Sequence, residues 1–171
     1  DGIEYKGPVV NTRLWSSLGF DESELEMGIS GLFGKPGAAS DETTSTLGLD
    51  LTYSLPTGPN SKWVSQAEFI GSNYITTSSD VFVVTTHHRS GYYVSSSYKW
   101  NKTWETGLRF DDLGCDSDGT ASQQLYTLLV SRQLTETSKF RAQYTFGNNS
   151  EDNVFTVQMI FGMGPHSHVL Q

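Results

Sequence analysis

Apolar and polar residues alternate with period two through most of the chain, the spacing that sends successive side chains to opposite faces of a strand. Nine segments carry the pattern, roughly 11-20, 24-34, 45-56, 62-72, 91-100, 102-113, 123-134, 138-147 and 153-163. In the second, Leu25, Met27, Ile29 and Phe33 share one face, with Glu26, Gly28 and Ser30 on the other. The third sets Leu47, Leu49, Leu51, Tyr53 and Leu55 against Gly48, Asp50, Thr52 and Ser54, and the later segments repeat the arrangement. No helical i, i+3, i+4 stripe of useful length interrupts them. The pattern predicts an all-β protein built from consecutive antiparallel strands.

The connections divide into two kinds. Asp21-Glu22-Ser23, Pro56 to Ser61, Asn101-Lys102 and Thr135-Glu136-Thr137 are short, and residues 35-44, 73-90, 114-122 and 148-152 are longer. Short and long alternate, as they do in a barrel of the bacterial outer membrane, where tight turns lie on the periplasmic side and longer loops outside. The apolar stretch Val81 to Thr86 falls inside the 73-90 connection and is read as a strand extension beyond the membrane.

Aromatic residues recur on the apolar faces: Trp63 and Phe69, Trp104 and Phe110, Phe140 and Phe146, and Phe155 and Phe161 are each six residues apart. At ~3.4 Å per residue and a tilt of ~40°, six residues cover roughly 15 Å of membrane depth. Two girdles bordering an apolar band follow. Trp63, Trp100, Trp104, Phe140 and Phe161 form the one near the short turns, and Phe33, Phe69, Tyr92, Phe110, Phe146 and Phe155 the other. A soluble β-sandwich also alternates, but it would scatter its aromatics indifferently along each strand. The opposite face then lines a polar interior offering Arg13, Glu26, Asp50, Glu68, Lys99, Glu105, Arg109 and Arg141. Lys99, across the Asn101-Lys102 hairpin, is a near neighbour of Glu105. Charges of both signs fit a watered lumen and would be costly in a dry core.

Composition narrows the reading further. Of 171 residues, 36% are hydrophobic, 18% charged and 12% aromatic, with 17 Gly, a mixture that favours strands and turns over helices. No run approaches the ~20 apolar residues of a membrane-spanning helix, which says nothing against a barrel. A net charge of -8 with a pI near 4.8 argues against nucleic acid as a partner. Acidic residues at Asp41-Glu42, Asp111-Asp112, Asp116, Asp118 and Glu151-Asp152 read as a solvated outer rim. The lone Cys115 has no second thiol for a disulfide or a CxxC pair. The first residues, Asp1 to Tyr5, carry neither part of an export signal, so any such signal has been removed or lies outside this sequence.

Chemistry-bearing motifs are sparse. His87-His88, in the long connection, and His166 with His168, in the tail, are the only metal-like features, and each pair is too few for a zinc site. No metal or cofactor is expected. The sequence contains no GxSxG elbow, phosphate loop or HExxH, and the expectation is a protein that is not an enzyme.

The runs Gly91-Tyr92-Tyr93-Val94 to Tyr98-Lys99-Trp100-Asn101-Lys102-Thr103-Trp104-Glu105-Thr106-Gly107-Leu108-Arg109-Phe110-Asp111, Ser138 to Tyr144, and Asn153 to His168 resemble the C-terminal part of a family of porin-like bacterial outer-membrane proteins, described as zinc-regulated or of unknown substrate. The likeness spans about residues 91-168. It departs from the family at the end, where His166-Ser167-His168-Val169-Leu170-Gln171 replaces two His separated by two residues and a terminal aromatic. Family members are also longer, with more strands before the equivalent of Asn11.

The resemblance and the alternation lead to one expectation: an antiparallel up-and-down transmembrane β-barrel of the bacterial outer membrane, about nine strands of it visible. Its partners would be membrane lipid and lipopolysaccharide and a small polar solute or ion, with a homo-oligomer also open. Bacterial single-chain barrels have even strand numbers, so nine means either one misread segment or upstream strands outside this sequence, and unpaired edges in lipid favour the second. The expected function is a porin-like channel. Two alternatives stand beside it, a structural or partner-binding barrel with acidic external loops and a soluble ligand-binding β-barrel.

Overall fold

The computed structural model describes residues 8-34, 44-77, 84-114, 122-148 and 150-162. They form one nine-stranded antiparallel sheet whose spatial order is the chain order. Its strands are β1 (Val10–Phe20), β2 (Ser23–Gly34), β3 (Thr44–Gly58), β4 (Ser61–Thr77), β5 (Val84–Lys99), β6 (Trp104–Leu113), β7 (Gln123–Gln133), β8 (Ser138–Gly147) and β9 (Val154–Phe161), with a single 3-10 turn at Ser150–Asp152 before β9. The sheet is open. β1 and β9 are its edges and are not paired with each other.

All the two- and four-residue connections, 21-22, 59-60, 100-103 and 134-137, lie at one end, and the longer ones at the other. Local chemistry closes the short ones. Asp21 takes the left-handed conformation (φ 52°), which its short polar side chain tolerates, and Ser23 Oγ donates to the Phe20 carbonyl at 2.9 Å. At the β5–β6 turn Asn101 Oδ1 accepts from the backbone N–H groups of Thr103 (2.8 Å) and Trp104 (3.0 Å), so the turn takes four residues and β6 begins at Trp104 and not at Lys102. At the β3–β4 end the strands continue past Pro56, which sits beside a register irregularity, where the missing N–H is tolerated.

Two expectations are corrected. Within the 73-90 connection, residues 73-77 and 84-90 are strand and not loop: β4 runs on to Thr77 and β5 begins at Val84, with Ile75 opposite Thr86 and Thr77 opposite Val84, so that Val84 to Thr86 of the expected strand extension belong to β5 itself. This hairpin continues beyond the last paired residues of β3 (Ser45 with Asn73) and β6 (Tyr92 with Asp112), and it carries His87 and His88 within a strand. Its β-branched residues pair, but it lacks the one-sided apolar pattern of the rest. Asp111 and Asp112, read as rim, lie in β6, where Asp111 is held by an arginine two residues earlier. Val81 to Val83, Asp116, Asp118, Asp41 and Glu42 are outside the described residues.

Burial is inverted relative to a water-soluble domain. Among the described residues no hydrophobic side chain is buried, whereas Thr44, Ser54, Asp111, Ser131 and Ser138 are. On β3, Leu47, Leu49, Leu51 and Tyr53 are 38-46% exposed while Gly48 and Ser54 on the other face are covered. Thirty-five large hydrophobic residues are exposed among the described residues, most of them on that one face. Where glycines interrupt it, neighbouring rings lean over them. Phe33 covers Gly31 and Phe69 covers Gly71, their ring carbons 3.1 and 3.3 Å from where a Cβ would stand.

Candidate functional site: the polar face of the sheet

The polar face is organised by ion pairs that reach over intervening strands. Arg13 of β1 meets Asp50 of β3 at 2.9-3.0 Å, passing across Gly28 of β2. A Cβ at Gly28 would stand 2.5 Å from both Asp50 carboxylate oxygens and 2.8 Å from an Arg13 nitrogen, so only glycine leaves room for the bridge. The same device recurs on the other side of the sheet. Lys139 of β8 meets Glu105 of β6 at 2.6 Å, across β7 at Ser131, which is 1% exposed. Arg141 Nε donates to the Ser131 hydroxyl at 3.3 Å. Lys99 is the register partner of Glu105, yet the carboxylate's ion pair is with Lys139.

Between these bridges Gly28, Asp50, Glu68, Tyr93 and Asp111 follow one another strand by strand in a single register row. Asp50 and Glu68 are directly opposed, an arrangement of like charges that would be unfavourable alone. Asp50 is engaged by Arg13, and Glu68 has Tyr93 as its partner on the other side. Arg109 makes a forked contact with Asp111 at 2.6-3.0 Å and lays its guanidinium carbon 3.8 Å above the centroid of the Tyr93 ring. An open cavity of about 680 Å³ lies over these strands toward the longer connections, lined by Glu68, Ile70, Arg89, Tyr93, Arg109 and Asp111. Glu26 also lies on this face, two residues from Gly28 along β2. Lys62 and Lys99, register partners, lie on it near the short turns.

The opposite face carries the aromatic residues singled out in the sequence. Tyr92, Phe110, Tyr126 and Phe146 form a continuous run of rings across β5 to β8, with centroids 6.0, 5.0 and 5.5 Å apart. Near the short turns, Trp100 packs edge-on to Tyr98 at 5.1 Å and donates to Thr106, Trp63 donates to Ser96, and Arg132 lies 5.3 Å over Trp104. Phe140 and Phe161 occupy that same end, and Phe69 and Phe155 lie farther along. His166 and His168, like Cys115, are outside the described residues, among which no group of three or more His, Cys, Asp or Glu could hold a metal ion.

Several residues of the network were hidden in the sequence. Lys139 and Ser131 have the parity of Arg141, which is the signal that could have found them. Tyr93 was masked by the reading of aromatics as apolar-face residues, and nothing in the spacing announces that a guanidinium will cover its ring. Compared with protein families, curated proteins and solved structures, the chain matches none.

Proposed function

We propose that this chain forms wall of an outer-membrane β-barrel channel, its apolar face against lipid and its charged face lining a watered passage for small polar solutes or ions. The observation that carries the reading is the inverted burial: thirty-five large hydrophobic residues exposed, none buried among the described residues. In water such a face is an aggregation hazard, whereas in a bilayer it is the required surface. Its height fits. Leu47 to Leu55 spans eight residue steps of β3, about 27 Å at ~3.4 Å each and about 21 Å at a ~40° tilt, near the ~25 Å apolar band of such barrels. Tight turns gathered at one end and longer connections at the other agree with periplasmic and external sides.

Closure belongs to the same proposal. In a nine-stranded up-and-down sheet β1 and β9 run in the same direction, so antiparallel closure takes an odd number of further strands and makes the total even. Those strands would satisfy the backbone groups that both edges now present.

The test is reconstitution of the full-length protein in planar bilayers. Detergent should be needed to keep it monomeric, and it should conduct. Replacing Arg109 and Arg141 together with Gln removes two positive charges from the passage and leaves Asp111 without its partner, which should move the reversal potential under a salt gradient toward cation selectivity. A reversal potential and conductance that both stay fixed would take these residues off any conducting path. A sealed barrel whose loops alone retain a binding partner would favour the structural alternative, and a monomer stable in buffer the soluble one.

A further inference from the structure

Among the described strand residues, the apolar face carries two Asp, Glu, Lys or Arg side chains, and they stand at its opposite ends. Asp112 of β6, toward the longer connections, accepts from the Gln124 amide of β7 at 3.3 Å. Arg132 of β7, near the short turns, lies between its register partners Trp104 of β6 and Phe140 of β8, with its guanidinium carbon 5.3 Å from the centroid of the Trp104 ring. It is exposed, and its N–H groups meet no acceptor among the described residues. Neighbouring carboxylates are not its partners: Glu105 is tied to Lys139 on the other face, and Glu136 lies in the β7–β8 turn with no ion pair among the described residues. The other donors at this end are occupied within the sheet, where Trp63 Nε1 donates to Ser96 at 2.6 Å and Trp100 Nε1 to Thr106 at 2.9 Å. Thr106 lies two residues, ~7 Å, along β6 from Trp104. There it borders an open groove of about 390 Å³, lined on this face by Trp63, Ser96, Tyr98, Thr106 and Leu108.

Resting on the barrel reading above, we infer that Arg132, Trp104 and this groove form a site for one anionic phospholipid of the leaflet on the turn side, its phosphate on the Arg132 guanidinium and an acyl chain along the groove. Charge sets the kind of headgroup, since a lone cation at the margin of an apolar face attracts an anion, and a guanidinium offers a planar fork of donors that matches phosphate oxygens. The contact with the Trp104 ring restrains the guanidinium through its charge and supplies no acceptor oxygen, so the N–H groups remain for phosphate. The groove sets the preference for a lipid over a free anion. A chain running from the headgroup toward the middle of the face passes along it and buries apolar surface that inorganic phosphate lacks. Its Ser96 and Thr106 hydroxyls already accept from indoles and leave it little polar surface to desolvate. An arginine that merely reached up to water would show no such headgroup preference.

The experiment titrates the full-length protein, delipidated in detergent, with palmitoyl-oleoyl phosphatidylglycerol or with phosphatidylcholine of the same chains, and counts bound lipid by native mass spectrometry. Phosphatidylglycerol should bind several-fold more tightly, a comparison that needs no variant. Arg132→Gln should bring the two lipids level, whereas Lys62→Gln, which removes one positive charge from the polar face at the same end of the sheet, should keep the preference. Inorganic phosphate in excess should not displace the bound phosphatidylglycerol. Equal binding of the two lipids by the unaltered protein, or an equal loss of preference in both variants, would overturn the site, and displacement by phosphate would overturn the lipid in favour of a free anion. Conductance in planar bilayers separates this inference from the channel reading. Arg132→Gln should leave the reversal potential where it is, and a shift would put Arg132 on the passage side and overturn the site. A protein that conducts but shows no lipid preference overturns the site alone, and one that stays monomeric in buffer without detergent overturns the barrel reading and the site together.

Discussion

At the scale of single residues, the smallest side chains decide which charges meet. Gly28 and Ser131 each lie under an ion pair whose partners come from the strands on either side, and both sites are set by lack of bulk. Gly28→Val should therefore displace the Arg13–Asp50 bridge and cost about 1-3 kcal/mol. Gly19→Val, where a Cβ meets nothing within 4 Å, should be nearly silent. Urea midpoints of the protein in detergent would rank the two, and equal midpoints would contradict the crowding at Gly28. The bridges themselves should differ in strength. Arg13 and Asp50 are 54% and 25% exposed and should couple by ~0-1 kcal/mol in a double-mutant cycle. Lys139 and Glu105, at 25% and 26%, are less screened by water and should couple more strongly.

Strands were legible wherever one face is apolar, because a one-residue slip would move every leucine to the wrong side and the pattern therefore fixes the register. That is why β8 is found at its observed limits and β2, β3 and β7 within one or two residues. Legibility weakens where neither face is consistently apolar. The far ends of β4 and β5 mix serine, threonine, asparagine and histidine with Tyr74, Ile75 and Val84 and make no consistently apolar face, so the sequence marked only Val81 to Thr86 as extended and the cross-strand pairing reveals the rest. Cross-strand chemistry was hidden for a related reason, since parity tells which residues share a face but not which of them reach over a neighbour. The face assignment itself has a direct test. Leu49→Arg and Leu108→Arg put a charge on the apolar face and should each cost ~2-4 kcal/mol of membrane assembly, measured as folded fraction in liposomes. Thr52→Arg, on the half-covered polar face, should be tolerated, and an equal loss at all three sites would invert or abolish the assignment.

For the whole molecule, the four tryptophans divide between the two faces and make the orientation visible. Trp63, Trp100 and Trp104 lie on the apolar face near the short turns, while Trp15 shares the polar face of β1 with Arg13 and stands opposite Gly28. Brominated lipid should quench the emission of a variant keeping only the first three, and aqueous iodide that of a variant keeping only Trp15. The reverse pattern would place lipid on the charged side. The identity of strand order and chain order also bears on how such a sheet comes into being. Each strand pairs with the one just made, so no distant segment has to be found, and hairpins of this kind close in about 1-10 μs. A lone hairpin is marginal in water, and with no hydrophobic side chain buried among the described residues, hairpins of the proposed barrel should keep dissolving until a bilayer receives their outward side chains. On the channel reading, biogenesis should then be paced by the thickness and packing defects of the lipid, with refolding quickening in thinner bilayers, and the last, slow event should be the closing of the two edges of the sheet.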